Sequence, residues 1–146
     1  MTTIRDVLKA KGSDVVTIRP DASIREAIDE LVSRKIGCLV ASEGGGQVSG
    51  VLTERDILKI VKEDVHRLSE VKVSERMTSE VVCGVPDDDL DYVMSVMTER
   101  RFRRMPVMED GKLAGLVSIG DVVKALKSAT EYEVRQLKDY IAGGYA

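Results

Sequence analysis

The hydrophobic and polar positions of the chain predict a definite order of elements in its first 64 residues. A β-branched run at 15–18 predicts a short strand, and Pro20 ends it because proline cannot donate a hydrogen bond to a sheet. Apolar residues then recur at helical spacing over 24–31. Ser23, with Glu26 three residues later, has the pattern of a capping box, so a helix is predicted to begin directly after Ser23.

Two further apolar segments, 38–42 and 47–52, flank the Gly-rich sequence EGGG at 43–46. A turn of this kind between short apolar runs is typical of a β-hairpin. The amphipathic sequence ERDILKIVKED at 54–64 then predicts a closing helix. The first half of the chain is therefore predicted to form a β-α-β-β-α unit.

The second half repeats this order. Residues 15–43 align with 81–109 at an offset of 66 positions, and a hairpin turn shorter by one residue changes the offset to 65 afterwards. Pro86 takes the place of Pro20, and Asp89 takes the cap position of the helix. A unit of about 60 residues buries too little apolar surface to be comfortably stable alone. We therefore predict an α+β (mixed α/β) fold, in which two β-α-β-β-α units pack with pseudo-two-fold symmetry.

Shorter segments flank and connect the two units. Residues 4–12 predict a short amphipathic helix, and the last predicted helix has a stop signal at Gly143. The predicted boundaries are 4–64 for the first unit, 65–76 for the bridge, 77–128 for the second unit and 131–144 for the C-terminal helix.

Composition and charge restrict the class of protein. The chain is 43% hydrophobic and 32% charged, and its apolar runs are far shorter than the roughly 20 residues that cross a bilayer. Without a signal-peptide pattern at the N-terminus, we expect a cytoplasmic protein with no membrane partner. The net charge of −3 and the absence of tryptophan disfavour a nucleic-acid partner. Cys38 and Cys83 lie in apolar segments without metal-ligand spacing, so both are predicted to be buried free thiols.

One eight-residue motif occurs twice, as GVLTERDI at 50–57 and as GLVSIGDV at 115–122. In each copy a hydroxyl residue precedes an acid by three positions at a predicted strand-to-helix junction, and one interpretation is a helix cap. The other is a ligand site, because a helix N-terminus attracts phosphate and a carboxylate can accept hydrogen bonds from a ribose diol. From the motif alone, both interpretations stay open.

The chain resembles a tandem pair of CBS domains, the regulatory modules named after cystathionine β-synthase. The resemblance covers roughly residues 4 to 128, and it depends on the paired motif, the β-α-β-β-α order, E-R-M-T at Glu75–Thr78 and R-R-M-P-V at Arg103–Val107. The tail at 136–144 is similar to that of small stand-alone bacterial CBS-pair proteins.

The resemblance implies a non-catalytic protein that binds adenosine-containing ligands in clefts between the two units. Such ligands include AMP, ADP, ATP, NAD-type dinucleotides and S-adenosylmethionine, and we expect AMP/ATP or NAD(H) here. By motif, the two aspartates would hold the ribose, the hydroxyl residues and arginines the phosphates, the hairpin strands the adenine, and the opening strands the pocket wall. The residues implied are Thr17, Ile18, Cys38, Leu39, Val40, Thr53, Arg55, Asp56, Val82, Cys83, Arg103, Arg104, Met105, Pro106, Val107, Ser118 and Asp121, with no catalytic residue and no metal ligand.

The two copies differ at positions that bear on binding. Arg103 and Arg104 of the second copy stand where the first has Gly37 and Cys38, so we expect two unequal sites. Strand alternation is expected to send the two arginines to opposite faces, which would leave only one of them in a cleft.

Other functions remain as alternatives. The motifs could only cap helices in a structural or dimerising protein, and the arginine run could be a nucleic-acid patch. No catalytic constellation supports an enzyme. CBS pairs usually dimerise, so we predict a homodimer and an unidentified regulated protein. Two apolar stripes are expected near the dimer interface, namely Ile4-Val7-Leu8 and Val134-Leu137-Ile141.

Overall fold

A computed structural model describes residues 2–142 of the chain. The fold is mixed α and β, and the predicted order of elements is confirmed except for the opening strand of the second unit. The elements are α1 (Ile4–Lys11), β1 (Thr17–Ile18), α2 (Ile24–Arg34), β2 (Cys38–Ala41), β3 (Gly50–Thr53), α3 (Glu54–Asp64), a 3-10 turn (Val65–Arg67), α4 (Val73–Arg76), α5 (Leu90–Arg100), β4 (Arg104–Glu109), β5 (Lys112–Ser118) and α6 (Ile119–Ile141).

Each unit contains a small sheet. In the first unit β1 runs parallel to β2, and β2 runs antiparallel to β3 with Leu39 opposite Leu52. In the second unit β4 and β5 form an antiparallel pair with Met105 opposite Val117. These central residues are buried because helices cover one face of each sheet.

The second unit lacks the predicted opening strand at Val82-Cys83, and only a single bridge between Gly84 and Val107 remains there. This bridge lies 66 positions after the pairing of Ile18 with Ala41 in β1 and β2, so the register of the repeat is kept. Glycine has no side chain to pack on a sheet, which explains why the pairing is not extended into a strand.

Two separate apolar cores support the two units. The first consists of Ile24, Ala27, Leu31, Leu39, Ala41, Leu52, Ile60, Val71 and Val73. The second consists of Ile4, Val7, Leu90, Val93, Met97, Met105, Val107, Val117 and Val122.

The segment that precedes each unit in the sequence packs on the other unit. Helix α1 contributes Ile4, which is fully buried, to the second core, and α4 contributes Val73 to the first. The Ile4 amide donates to the Asp88 carbonyl at 3.1 Å, and the Val73 amide donates to the Ala22 carbonyl at 2.8 Å. Burying a side chain such as Ile4 contributes about 1.5–3 kcal/mol, so this exchange of segments ties the units together.

The exchange also shows what covers one apolar stripe. Ile4 and Val7 are 0% and 5% exposed, so this side of α1 packs on the second unit of its own chain. The expected position of the stripe near a dimer interface stays a prediction.

Helix α6 differs from the prediction of separate helices at 120–130 and 131–144. One continuous helix runs over Ile119–Ile141, because no glycine or proline breaks the pattern near 130. The predicted stop at Gly143 lies outside the described residues. Val134, Leu137 and Ile141 are 45%, 59% and 75% exposed, so the second apolar stripe is open to solvent in the single chain.

Candidate functional site

Both copies of the repeated motif cap a helix. Thr53 is the N-cap of α3: its hydroxyl accepts from the Asp56 amide at 3.4 Å, and the Asp56 carboxylate accepts from the Thr53 amide at 2.9 Å. Ser118 and Asp121 form the equivalent capping box at α6, with distances of 3.1 and 2.8 Å. The helix-cap interpretation is therefore confirmed, and the question is what else the two helix ends can do.

A cleft of about 790 Å³ lies between the units, and the N-termini of α3 and α6 both line it. Thr53 of the first unit and Ser118 of the second both line it. The positive end of a helix dipole suits an anion, and here two helices direct that end to one cavity. The volume lies within the usual range for small-molecule sites.

The cleft carries an excess of positive charge. Five arginines line it, against three acidic residues: Arg55, Arg100, Arg101, Arg103 and Arg104, with Glu54, Asp56 and Glu80. Among residues 2–142, none of these five arginines forms a salt bridge with a carboxylate. Guanidinium groups left without an ionic partner at the wall of a cleft are available to a carboxylate or phosphate ligand.

Both Arg103 and Arg104 line the cleft, so the expectation that only one of them would lie in a cleft is wrong. Strand β4 begins at Arg104, so Arg103 precedes the strand and is not bound by its alternation. Gly37 makes room for the second arginine: a Cβ atom built there would lie 2.8 Å from Nη2 of Arg104. The absence of a side chain in the first copy therefore accommodates an arginine of the second.

An extended segment at 78–82 forms another wall of the cleft. Helix α4 ends at Arg76, and the chain then pairs with β3 through Thr78 and Val51, whose amides and carbonyls bond at 2.9 and 3.0 Å. Gly50 permits this approach, because a Cβ there would lie 2.6 Å from the Met77 sulfur and 2.8 Å from the Thr78 carbonyl oxygen.

The second aspartate has different surroundings. Asp121 does not line the cleft, and its carboxylate accepts from the Lys11 ammonium at 2.8 Å. Lys11 also donates to the Leu116 carbonyl at 2.9 Å. Burial alone would raise the pKa of Asp121, but the hydrogen bonds from Lys11 and from the Ser118 amide lower that pKa below its ordinary value. Asp121 is therefore held as a carboxylate by a cation of its own chain.

Only some of the residues implied by the resemblance meet in this cleft. Thr53, Arg55, Asp56, Val82, Arg103, Arg104 and Ser118 line it. Thr17, Ile18, Cys38, Leu39, Val40, Cys83, Met105, Pro106, Val107 and Asp121 do not. The hairpin residues Cys38–Val40 and Met105–Val107 are buried, so their predicted contact with adenine stays a prediction.

Other lining residues were missed, chiefly Thr78, Glu80, Val81, Arg100, Arg101 and Phe102. Their signal was present in two places, the E-R-M-T run that ends at Thr78 and the arginine run before β4. Neither reveals a cleft wall without knowledge of where the bridge and the helix end come to lie.

The two cysteines are not equivalent. Cys38 is buried in β2, and burial raises the pKa of its thiol to about 11, while Arg104 lowers it and Asp56 raises it. Cys83 is exposed, which contradicts the prediction of a buried thiol, because its segment does not form a strand. Burial of part of the side chain still raises the pKa of Cys83.

Among residues 2–142, no group of three or more His, Cys, Asp or Glu side chains is placed to hold a metal ion. None of the helices in this range combines the length and the apolar character needed to cross a membrane.

Comparison with known proteins relates the fold and the repeat to one family. The sequence profile of the CBS domain matches residues 4–63 and 69–128. The mitochondrial CBS domain-containing protein CBSX3 of Arabidopsis thaliana is 34% identical over 152 residues, which cover 99% of this chain and 74% of that protein. The chain spans 33% to 84% of the length of five curated relatives, CBSX3 among them.

Solved structures agree. The CBS-domain containing protein ATU1752 of Agrobacterium tumefaciens is 46% identical, with a TM-score of 0.80 over 85% of this chain and 98% of that one. The CBS domain pair of protein MJ0100, in complex with 5-methylthioadenosine and S-adenosyl-L-methionine, is 25% identical, with a TM-score of 0.74 over 84% of this chain and 98% of that one. The chain therefore belongs to the CBS domain family and carries two CBS domains in one polypeptide.

Proposed function

We propose that this chain is a non-catalytic regulatory module that binds an adenosine-containing ligand with phosphate groups, AMP, ADP, ATP or NAD(H), in the cleft between its two units. Binding would report energy or redox state to an unidentified regulated protein. The observation that carries the proposal is the convergence of two helix N-termini and five arginines without salt bridges on one cleft.

The charges of the cleft suit a phosphate group. Helix N-termini offer backbone donors, and arginine matches phosphate oxygens with two parallel hydrogen bonds. Arg103 and Arg104 belong to the second unit, and the Arg104 guanidinium reaches across the cleft to Gly37 of the first unit, which also carries Asp56. A nucleotide across the cleft could place its ribose diol at Asp56 and its phosphates toward the arginines.

The adenosine part of the proposal is supported by the family. The CBS pair of protein MJ0100 was crystallised with two adenosine compounds, 5-methylthioadenosine and S-adenosyl-L-methionine. Neither compound carries a phosphate, and the second carries a positive sulfonium. The arginine-rich cleft of the present chain favours an anionic member of the same ligand class.

Calorimetric titration tests the function directly. We expect ATP, AMP or NADH to bind the parent chain more tightly than 5-methylthioadenosine does. Replacing either Arg103 or Arg104 by Gln removes a charge-assisted hydrogen bond of about 1.5–3 kcal/mol, which corresponds to about a ten- to hundredfold loss of affinity for each single variant. The loss should affect ATP and leave 5-methylthioadenosine unchanged, since that ligand has no phosphate.

Arg135→Gln is the matched control, because Arg135 is exposed on α6 and does not line the cleft. Failure of all the nucleotides to bind would overturn the proposal. Turnover of a nucleotide during the titration would replace it with an enzymatic function.

We also propose that the chain forms a homodimer through the exposed stripe of α6, with a second copy as the occupant. Val134, Leu137 and Ile141 follow one another at helical spacing on one side of α6. An antiparallel pair centred between Leu137 and Lys138 places Val134 of each copy level with Ile141 of the other, so the two apolar stripes cover one another.

Light scattering at micromolar concentration tests the assembly. Leu137→Lys should shift the dimer to a monomer, because a charge would enter the apolar contact. Tyr132→Lys is the control, since Tyr132 is equally exposed at 59% but lies two residues, about 200°, around the helix from Val134. A monomeric parent chain would refute the dimer without affecting the nucleotide site.

A further inference from the structure

The two repeated motifs present their carboxylates to different surroundings. Asp56 lines the open cleft, and within residues 2–142 it forms no salt bridge. Asp121 is bonded by Lys11 at 2.8 Å and by the Ser118 amide at 2.8 Å, both on the same oxygen, Oδ2. The side chains of Lys11 and Asp121 are 39% and 26% exposed, so the pair is partly buried.

The different surroundings of the two aspartates arise from α1 and α4, each of which packs on the other unit, and from the residues that follow these helices. Leu8 of α1 contacts Gly115, and Met77, 69 positions later, contacts Gly50, so the two segments occupy equivalent places. By the same offset, the counterpart of Lys11 is Glu80. The second motif thus has a cation beside it, and the sequence counterpart of that cation in the other half is an acid.

The two helices also differ in length. Helix α4 ends at Arg76, and the extended chain beyond it pairs with Val51 and forms a wall of the cleft. Helix α1 continues to Lys11, and the Lys11 side chain bonds the carbonyl of Leu116, the counterpart of Val51. The Lys11 side chain therefore bonds the carbonyl of Leu116, whereas in the other half the backbone of Thr78 bonds the equivalent carbonyl of Val51.

We infer that Lys11 is a specificity-determining residue that confines the nucleotide to the Asp56 side, so that each chain binds one ligand. The inference rests on the proposed nucleotide function. A ribose diol at Asp121 would have to displace Lys11, which breaks one charge-assisted hydrogen bond and leaves the Leu116 carbonyl without this donor. Losing such a bond weakens binding by about ten- to hundredfold relative to a free carboxylate.

Titration with ATP as the probe tests the inference. The parent chain should bind one ATP per chain, and Lys11→Met, which keeps the length of the side chain and removes its charge, should bind a second. Lys11→Gln should behave like Lys11→Met, while Lys11→Arg keeps the charge and should bind one. Lys9→Met is the matched control, since Lys9 lies exposed on the same helix and forms no salt bridge among the described residues.

Melting curves of each variant establish that it is folded before titration. Two ATP per parent chain, or one ATP per chain in both neutral variants, would overturn the inference. Loss of ATP affinity in the neutral variants would identify Lys11 as a ligand contact and overturn it as well. If neither the parent nor the variants bind any nucleotide, the proposed function itself fails, which is a distinguishable result.

Discussion

Replacing Asp56 by Asn separates the capping role of the repeated motif from its ligand role. The Asp56 carboxylate accepts from the Thr53 amide at 2.9 Å and from the Thr53 hydroxyl at 3.1 Å. An Asn side chain of the same size keeps an oxygen that can accept from the same amide. The loss of folding free energy should therefore stay within about 1 kcal/mol.

The effect on ligand affinity should be larger than the effect on stability. A carboxylate bonds a ribose diol by charge-assisted hydrogen bonds, and the neutral amide would weaken them by about 1.5–3 kcal/mol. This corresponds to about a ten- to hundredfold loss in affinity for ATP. Asp56→Ala should lose more, because it also removes the acceptor.

Asp121→Asn should instead lower the stability of the fold more than the affinity for ATP. It breaks the ion pair with Lys11, whose partly exposed geometry limits its contribution to about 1 kcal/mol, and it weakens the cap at α6. A combined loss of about 1–2 kcal/mol lowers the melting temperature by roughly 2–8 °C in a chain of this size. ATP affinity at the Asp56 side should stay within about twofold of the parent, since no ligand bond is lost.

Paired melting and calorimetric measurements on the two variants decide the matter. An affinity loss in Asp121→Asn as large as that in Asp56→Asn would refute the assignment of the ligand to the Asp56 side. If both variants bind ATP like the parent and lose only melting temperature, the repeated motif is a helix cap and nothing more.

Three further outcomes follow from the packing and the titrating groups. Gly50→Ala should cost about 1–3 kcal/mol in urea unfolding, because its Cβ would meet a backbone carbonyl of the cleft wall at 2.8 Å. Gly115→Ala should cost less, since the nearest atoms belong to a leucine side chain that can move; an equal cost would contradict this. A thiol reagent at pH 8 should label Cys83 quickly and Cys38 only after unfolding, because Cys38 is buried with a pKa of about 11; two fast thiols would contradict this. The pKa of Asp121 is lowered in the fold, so its stabilisation is present above 3.8 and is lost as pH falls below that value. The stability gap between the parent and Asp121→Asn, measured in urea, should therefore shrink in acid; a gap that widens there would be inconsistent with the ion pair.

The elements of each unit could be predicted because their signals are local. The predicted helix at 54–64 agrees with α3 at both ends, since a capping hydroxyl precedes it and its apolar spacing continues to the end. The hairpins also agree, because the Gly-rich and Asp-Gly turns lie between apolar runs. These features depend on neighbours within a few residues, which a single sequence shows.

The exchange of α1 and α4 between the units could not be predicted. An amphipathic stripe such as Ile4-Val7 shows that a helix packs on something, and it does not show on what. For the same reason the sequence does not reveal the surroundings of Asp121. Lys11 and Asp121 are 110 positions apart, and no local pattern connects them.

Duplication therefore predicts two equivalent helix caps and does not predict two equivalent sites. The cap needs only a hydroxyl and an acid at the right spacing, and both copies keep them. A binding site also needs a wall, and the wall comes from the segment ahead of the other unit, where the two halves differ in helix length and in charge. Because the cap stabilises each unit without ligand, one copy can lose its ligand role and still keep its motif. The repeated motif is thus evidence for the fold of both halves, whereas the proposed difference in function depends on Lys11, which lies outside the motif.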